Sequence, residues 1–102
     1  MPARVAVEFT AHWINRWFVR TVYRPWVRID DDAPVPASWR VATDIPVAPG
    51  EHTVTTLLRW RMFPGAGPVS VRSVRVSVSG TVVVRVSNGA LNSDPFIPRV
   101  VE

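Results

Sequence analysis

The sequence predicts an all-β protein: a small antiparallel β-sandwich of six to eight strands with no major helix. Three observations carry this expectation. Valine dominates the apolar residues while leucine is scarce, and β-branched side chains suit a pleated surface better than a helix. Apolar residues recur at every second position in several short runs, the period of a half-buried strand. Proline, glycine, asparagine and aspartate break those runs at regular intervals. With 102 residues, 47% of them hydrophobic and 20% charged, the chain is ordinary enough in composition to fold. It is short enough for a single domain over residues 1–102.

From Arg4 the first run places Val5, Val7, Phe9, Ala11 and Trp13 on one side, with Ala6, Glu8, Thr10 and His12 on the other. "INRW" interrupts it, and Asn15 suits a turn. A second run from Val19 to Ile29 puts Val19, Thr21, Tyr23, Val27 and Ile29 on one face. Arg20, Val22, Arg24, Trp26 and Arg28 take the other, and Pro25 breaks the run or places it at an edge. Trp13 and Trp17, four apart, would also fit a helix across residues 13–24. The β-branched residues there favour a strand.

"DDDAPVP" reads as a turn and "SWRVAT" as a short strand, with Trp39, Val41 and Thr43 on one face. Pro49-Gly50 marks a tight turn with glycine at the position needing positive φ. The longest run follows: His52, Val54, Thr56, Leu58, Trp60 and Met62 inward, and Thr53, Thr55, Leu57, Arg59 and Arg61 on a wet face. After "PGAGP", Val69 and Val71 are out of phase with Val74, Val76 and Val78, which predicts a bulge near Arg72-Ser73. Ser79-Gly80 reads as a hairpin into Val82, Val84 and Val86, and Asn88-Gly89 as a turn. The tail "LNSDPFIPRVVE" holds two prolines and at most a weak strand.

In order, "VRIDD", a proline-containing loop with a tryptophan, "IPVAPGEHTV" and the valine strands around "SVSGTVVVRV" resemble the PEGA-type β-sandwich modules. In those, a strand ending in Val-Asp-Gly precedes a Pro-Gly-Glu/Lys-His turn, and a Gly-centred hairpin closes the unit. The likeness spans roughly residues 26 to 87. It departs at "IDDD", where the family has glycine, and in the aromatic N-terminal stretch. The whole chain is also similar to small proteins of high-GC Gram-positive bacteria. The resemblance implies an immunoglobulin-like or PEGA-like sandwich acting as a non-catalytic surface or adaptor module, and it brings no catalytic residues with it.

Several chemistries lack their residues. With no cysteine there are no disulfides, thiolate metal sites or cysteine nucleophiles. No phosphate loop, dinucleotide glycine motif, nucleophile elbow or metal-spaced histidine pair occurs. Glu51 and His52 are adjacent, so a strand points them to opposite faces. His52 then reads as the first inward residue after a turn, and His12 as a solvated residue near Glu8 and Thr10. Asp30-Asp31-Asp32 could attract Ca²⁺ but lacks the spaced ligands of a calcium loop; turn formation explains it. The expectation is a protein that is not an enzyme and has no cofactor or metal.

All 12 basic residues are arginine, the formal net charge is +4, and five residues are tryptophan. The composition of a GC-rich genome explains the missing lysine as readily as selection for guanidinium chemistry does. Arginine and tryptophan are also the residues enriched at interaction hot spots. The expected interaction surface is Trp17, Arg20, Arg24, Trp26, Arg28, Arg59, Arg61 and Phe63, with Trp17 and Trp26 the exposed tryptophans. Arg16, Arg20, Arg24 and Arg28 are expected to line one sheet face. A protein partner or a second copy of the chain is the first expectation, as a self-associating or adaptor module. The alternatives are a basic binder of nucleic acid or another acidic ligand, and a structural component of a larger particle such as a phage or cell-surface assembly. No apolar run is long enough for a membrane span. The early charge and glutamate of "MPARVAVEFT" do not suit a secretory leader, so a soluble cytoplasmic protein is expected.

Overall fold

The computed structural model describes residues 3–12, 16–62, 65, 67–88 and 96–101. Trp13, Asn15, Phe63 and Gly89 lie outside the described residues. Eight strands form, in chain order β1 (Ala3–Thr10), β2 (Tyr23–Ile29), β3 (Val35–Pro36), β4 (Thr43–Val47), β5 (Gly50–Trp60), β6 (Val69–Val78), β7 (Thr81–Ser87) and β8 (Ile97–Val101). A seven-residue helix, α1 (Arg16–Val22), precedes β2.

The strands make two four-stranded sheets, ordered β4-β1-β7-β8 and β3-β2-β5-β6. Every pairing is antiparallel except β1 with β7. The small all-β sandwich expected from the alternating runs is therefore the fold, with one parallel pair in it. Val5, Val7, Phe9, Val84 and Val86 of one sheet meet Val27, Ile29, Val54, Leu58, Val76 and Val78 of the other in a single core. Each fully buried valine contributes roughly 1.5–3 kcal/mol of apolar burial, which explains why so much of the inner surface is β-branched.

Proline shapes the periphery. Pro36 lies on β3, Pro46 on β4 and Pro98 on β8, all three edge strands. A missing N–H costs least at an edge, and it blunts that edge against another chain.

The structure corrects several expectations. Residues 16–22 form α1 rather than the start of a strand: Val19 turns into the core, at 1% exposure, with Phe18 packed against that core, while Trp17 and Thr21 face solvent. Thr21 Oγ1 donates back to the Trp17 carbonyl at 2.6 Å, an i to i−4 contact that only a helix offers. Pro25 does not break β2: it is buried opposite Leu58 and the strand continues through it. "SWRVAT" is mostly loop, and the strand begins at Thr43, pairing with β1. Val35 and Pro36, read as turn, pair with Val27 and Trp26.

The outer face of β5 is not uniformly wet. Thr55 is 3% exposed and hydrogen-bonded to Ser73 at 2.8 Å, while Leu57 is 7% exposed opposite Trp26. The bulge falls at Ser70–Val71, two residues before the expected place: Thr56 pairs with Arg72 but Leu58 with Val69. Ser70 takes φ +55°, and its hydroxyl accepts the Phe96 N–H at 2.6 Å. Ser79-Gly80 makes no hairpin, since β6 and β7 belong to different sheets. It carries the chain across the sandwich instead, and the Gly80 carbonyl accepts the Arg4 N–H at 2.9 Å. The tail expected to be at most weakly ordered pairs β8 with β7.

Two turns behaved as read. Gly50 has φ +127°, a conformation that glycine adopts without strain. Asp30, at φ +52°, ends β2 in a turn whose carboxylate is fully used. Its Oδ1 accepts the Thr53 N–H at 2.8 Å and its Oδ2 lies 2.7 Å from His52 Nδ1. The other ring nitrogen of His52 lies 2.6 Å from the Ala48 carbonyl. Both partners are acceptors, an arrangement that favours the doubly protonated form of the ring. The pKa of His52 is accordingly raised, first by the Asp30 hydrogen bond and then by that to Ala48. That of Asp30 is lowered, first by the Thr53 N–H and then by His52. His52 ties the β2–β3 turn to the β4–β5 turn.

Candidate anion-binding site

A concavity lies where α1, the start of β2 and the loop from Ala37 to Arg40 meet. It encloses about 1020 Å³ and is lined by Arg16, Trp17, Arg20, Thr21, Arg24, Ala37, Ser38, Trp39, Arg40 and Arg61. Among the described residues, five guanidinium groups and two indoles line this groove, and no carboxylate does.

Each wall has a local reason. Four-residue spacing puts Arg16 and Arg20 on one side of α1. Arg24 follows on the outer face of β2. Arg61 closes the C-terminus of α1: its Nε donates to the carbonyls of Arg20 and Tyr23, each at 3.1 Å, and its backbone N–H to that of Val22 at 2.9 Å. Trp39 forms part of the lining and is anchored from behind. Its indole N–H donates to the Tyr23 carbonyl at 3.1 Å, and its ring lies 5.9 Å from Phe9 and 5.5 Å from Phe96.

Two smaller hollows adjoin the groove. One, of about 450 Å³, shares Arg16, Arg20, Trp39 and Arg40 with it and extends toward Thr10 and Ala11. The other, of about 300 Å³, shares Arg24 and Arg61 and adds Trp26, Arg59 and Trp60. In this third hollow Arg24 and Arg59 stand directly opposite each other across the β2–β5 ladder. Both guanidiniums also approach the Trp26 ring, at 5.7 and 4.7 Å from its centroid. The indole faces offer a cation–π attraction that partly offsets the like-charge contact.

Four acidic residues are occupied elsewhere. Asp44 pairs with Arg4 at 3.9 Å, Glu51 with Arg75 at 3.3 Å, Glu8 with Arg85 at 3.2 Å and Asp30 with His52. Among the described residues, none of Arg16, Arg20, Arg24, Arg40, Arg59 and Arg61 has a carboxylate partner.

Of the surface expected from sequence, Trp17, Arg20, Arg24 and Arg61 line the groove, and Trp26 and Arg59 line its extension. Arg28 lies further along the outer face of β2, opposite Thr55 and away from these hollows. Phe63 falls outside the described residues. Trp17 is open to solvent, 74% exposed, whereas Trp26 is half-buried between its two arginines. Arg16 and Arg20 belong to a helix, so the four arginines from 16 to 28 do not share one sheet face. Arg40 and Trp39 were not foreseen as site residues, because a loop brings them in and no local pattern marks that approach.

No group of three or more histidine or acidic side chains that could hold a metal ion occurs among the described residues. No helix among them is long and apolar enough to cross a membrane. Comparison with protein-family models, curated proteins and solved structures finds no match to the chain. The likeness to PEGA modules therefore rests on the turn and strand motifs alone.

Proposed function

We propose that this protein is a non-catalytic binding module that captures a polyanionic ligand in the arginine groove. The observation that carries this reading is the lining by Arg16, Arg20, Arg24, Arg40 and Arg61, with no carboxylate beside them among the described residues. Guanidinium groups brought together without counter-charges repel one another, and an anion between them removes that repulsion and gains charge-assisted hydrogen bonds. A concave site focuses this field better than a flat basic face does.

The protein-contact reading has less support in the geometry. Prolines blunt three of the four sheet edges, which disfavours self-association by strand pairing, although exposed Trp17 and Met62 leave apolar surface for a partner.

Heparin chromatography tests the proposal. The protein is expected to bind at low salt and to elute at moderate salt, since phosphate or sulfate contacts release counterions. Arg20→Ala combined with Arg24→Ala is expected to lower the eluting salt markedly. No retention at low salt, or retention that ignores this pair, would refute the groove as the site. Light scattering that found a defined oligomer together with absent retention would favour the protein-contact reading.

A further inference from the structure

The groove and its two neighbouring hollows share residues pairwise, so they form one continuous track. It runs from Arg16, Arg20 and Arg40, past Arg24 and Arg61, to Arg59 beside Trp26. Resting on the polyanion reading above, we infer that the ligand of this track is single-stranded nucleic acid, with its phosphates on the arginines and a base stacked on Trp17.

Three features select this ligand among polyanions. The first is length: half of the 12 basic residues lie along a single path. A repeating phosphodiester chain engages successive cations there, whereas a small anion would use only one or two. The second is Trp17. Its indole stands on the groove wall with Arg16 and Arg20, 74% exposed, in edge contact with Phe18 at 6.3 Å. Stacking a base on such a ring covers apolar surface, and any base serves because each has a π face. A base-free polyanion leaves that ring in water. The third is the Arg24–Arg59 pair, in register across the ladder with Trp26 beneath both guanidiniums. Like charges directly opposite each other destabilise a sheet, and a backbone phosphate seated between them reverses the sign of that contact. A duplex keeps its base faces inside its own stack, so it can offer Trp17 only its backbone.

The test compares three probes of equal phosphate count at low salt: a thymidine decanucleotide, an abasic phosphodiester of the same length, and a duplex. The decanucleotide is expected to bind at least fivefold more tightly than the abasic strand, in keeping with one base–aromatic stack, and more tightly than the duplex. Trp17→Ala is expected to abolish that preference, and Trp17→Phe to restore most of it. Trp17 is mostly exposed, so these variants should fold, and circular dichroism checks that they do. Equal binding of all three probes, with Trp17→Ala neutral, would overturn single-strand recognition and leave the polyanion reading standing. Tighter binding of the duplex would overturn it as well. If no probe bound, both readings would fall.

Discussion

The Nε of Arg61 donates to the carbonyl of Arg20, 41 residues earlier in the chain, at 3.1 Å. This contact joins the end of β5 to the last turn of α1, and it explains how a seven-residue helix persists. A helix this short does not hold alone in water; Val19 in the core and Arg61 at the C-terminus hold it.

Arg61→Lys should therefore loosen α1. Lysine keeps the charge but cannot repeat the planar reach to two carbonyls. The expected loss of stability is about 1 kcal/mol, the usual worth of such hydrogen bonds. Amide exchange at residues 16–22 should accelerate while the β5 core amides stay protected. Uniformly faster exchange would contradict the role given to Arg61.

The His52–Asp30 contact at 2.7 Å predicts a pH window. His52 has a raised folded pKa, so its contribution is complete below the ordinary histidine value of about 6.5 and is lost as pH rises through the raised value. Asp30 has a lowered folded pKa, so its contribution is present above the ordinary aspartate value and disappears as pH falls through the lowered one. Stability should thus be greatest in mildly acidic solution and decline on both sides. Thermal unfolding across pH checks this, and His52→Gln should flatten the alkaline decline.

Thr56 is 1% exposed at the centre of β5, and its hydroxyl has no hydrogen-bond partner among the described residues. A buried unpaired hydroxyl costs about 1–3 kcal/mol. Thr56→Val keeps the shape and removes the polar atom, so chemical denaturation should show a gain of about 1 kcal/mol. A loss of stability would mean that the hydroxyl is paired.

The facing Arg24 and Arg59 predict a salt effect opposite in sign to that of a protein held by surface ion pairs. Raising ionic strength from about 0.01 M to about 0.15 M shortens the screening length from about 30 to about 8 Å. Wild type should gain thermal stability over this range, and Arg59→Gln should gain less. An identical salt response in the two proteins would contradict the repulsion.

Much of the sandwich was legible because one face of most strands is dry. Val5, Val7, Val27, Val54, Val84 and Val86, all fully buried, reproduce the inward phase of their runs. Legibility failed where tertiary contacts overrode local pattern. Val19, Thr21 and Tyr23 fit a period of two as well as a helix, and contacts distant in sequence, such as those of Arg61, favour the helix. Ser79-Gly80 has the composition of a hairpin turn, yet the parallel pairing of β7 with β1 moves the chain to the other sheet. The site was half visible. Arginines and tryptophans on α1, β2 and β5 stood out by type, but Trp39 and Arg40 join them through a loop whose path depends on the Tyr23 carbonyl.

The most direct measurement is the salt dependence of polyanion affinity in two charge-matched variants. Arg16, Arg20 and Arg40, each changed to Gln, remove groove charge; Arg28, Arg72 and Arg99, likewise changed, remove the same charge elsewhere from a protein of formal net charge +4. For a single-stranded ligand, the groove variant should lower the slope of log K against log salt by about 2 and lose most affinity at low salt, while the other variant keeps both nearly intact. Equal losses in the two would mean that overall charge, rather than the groove, holds the ligand.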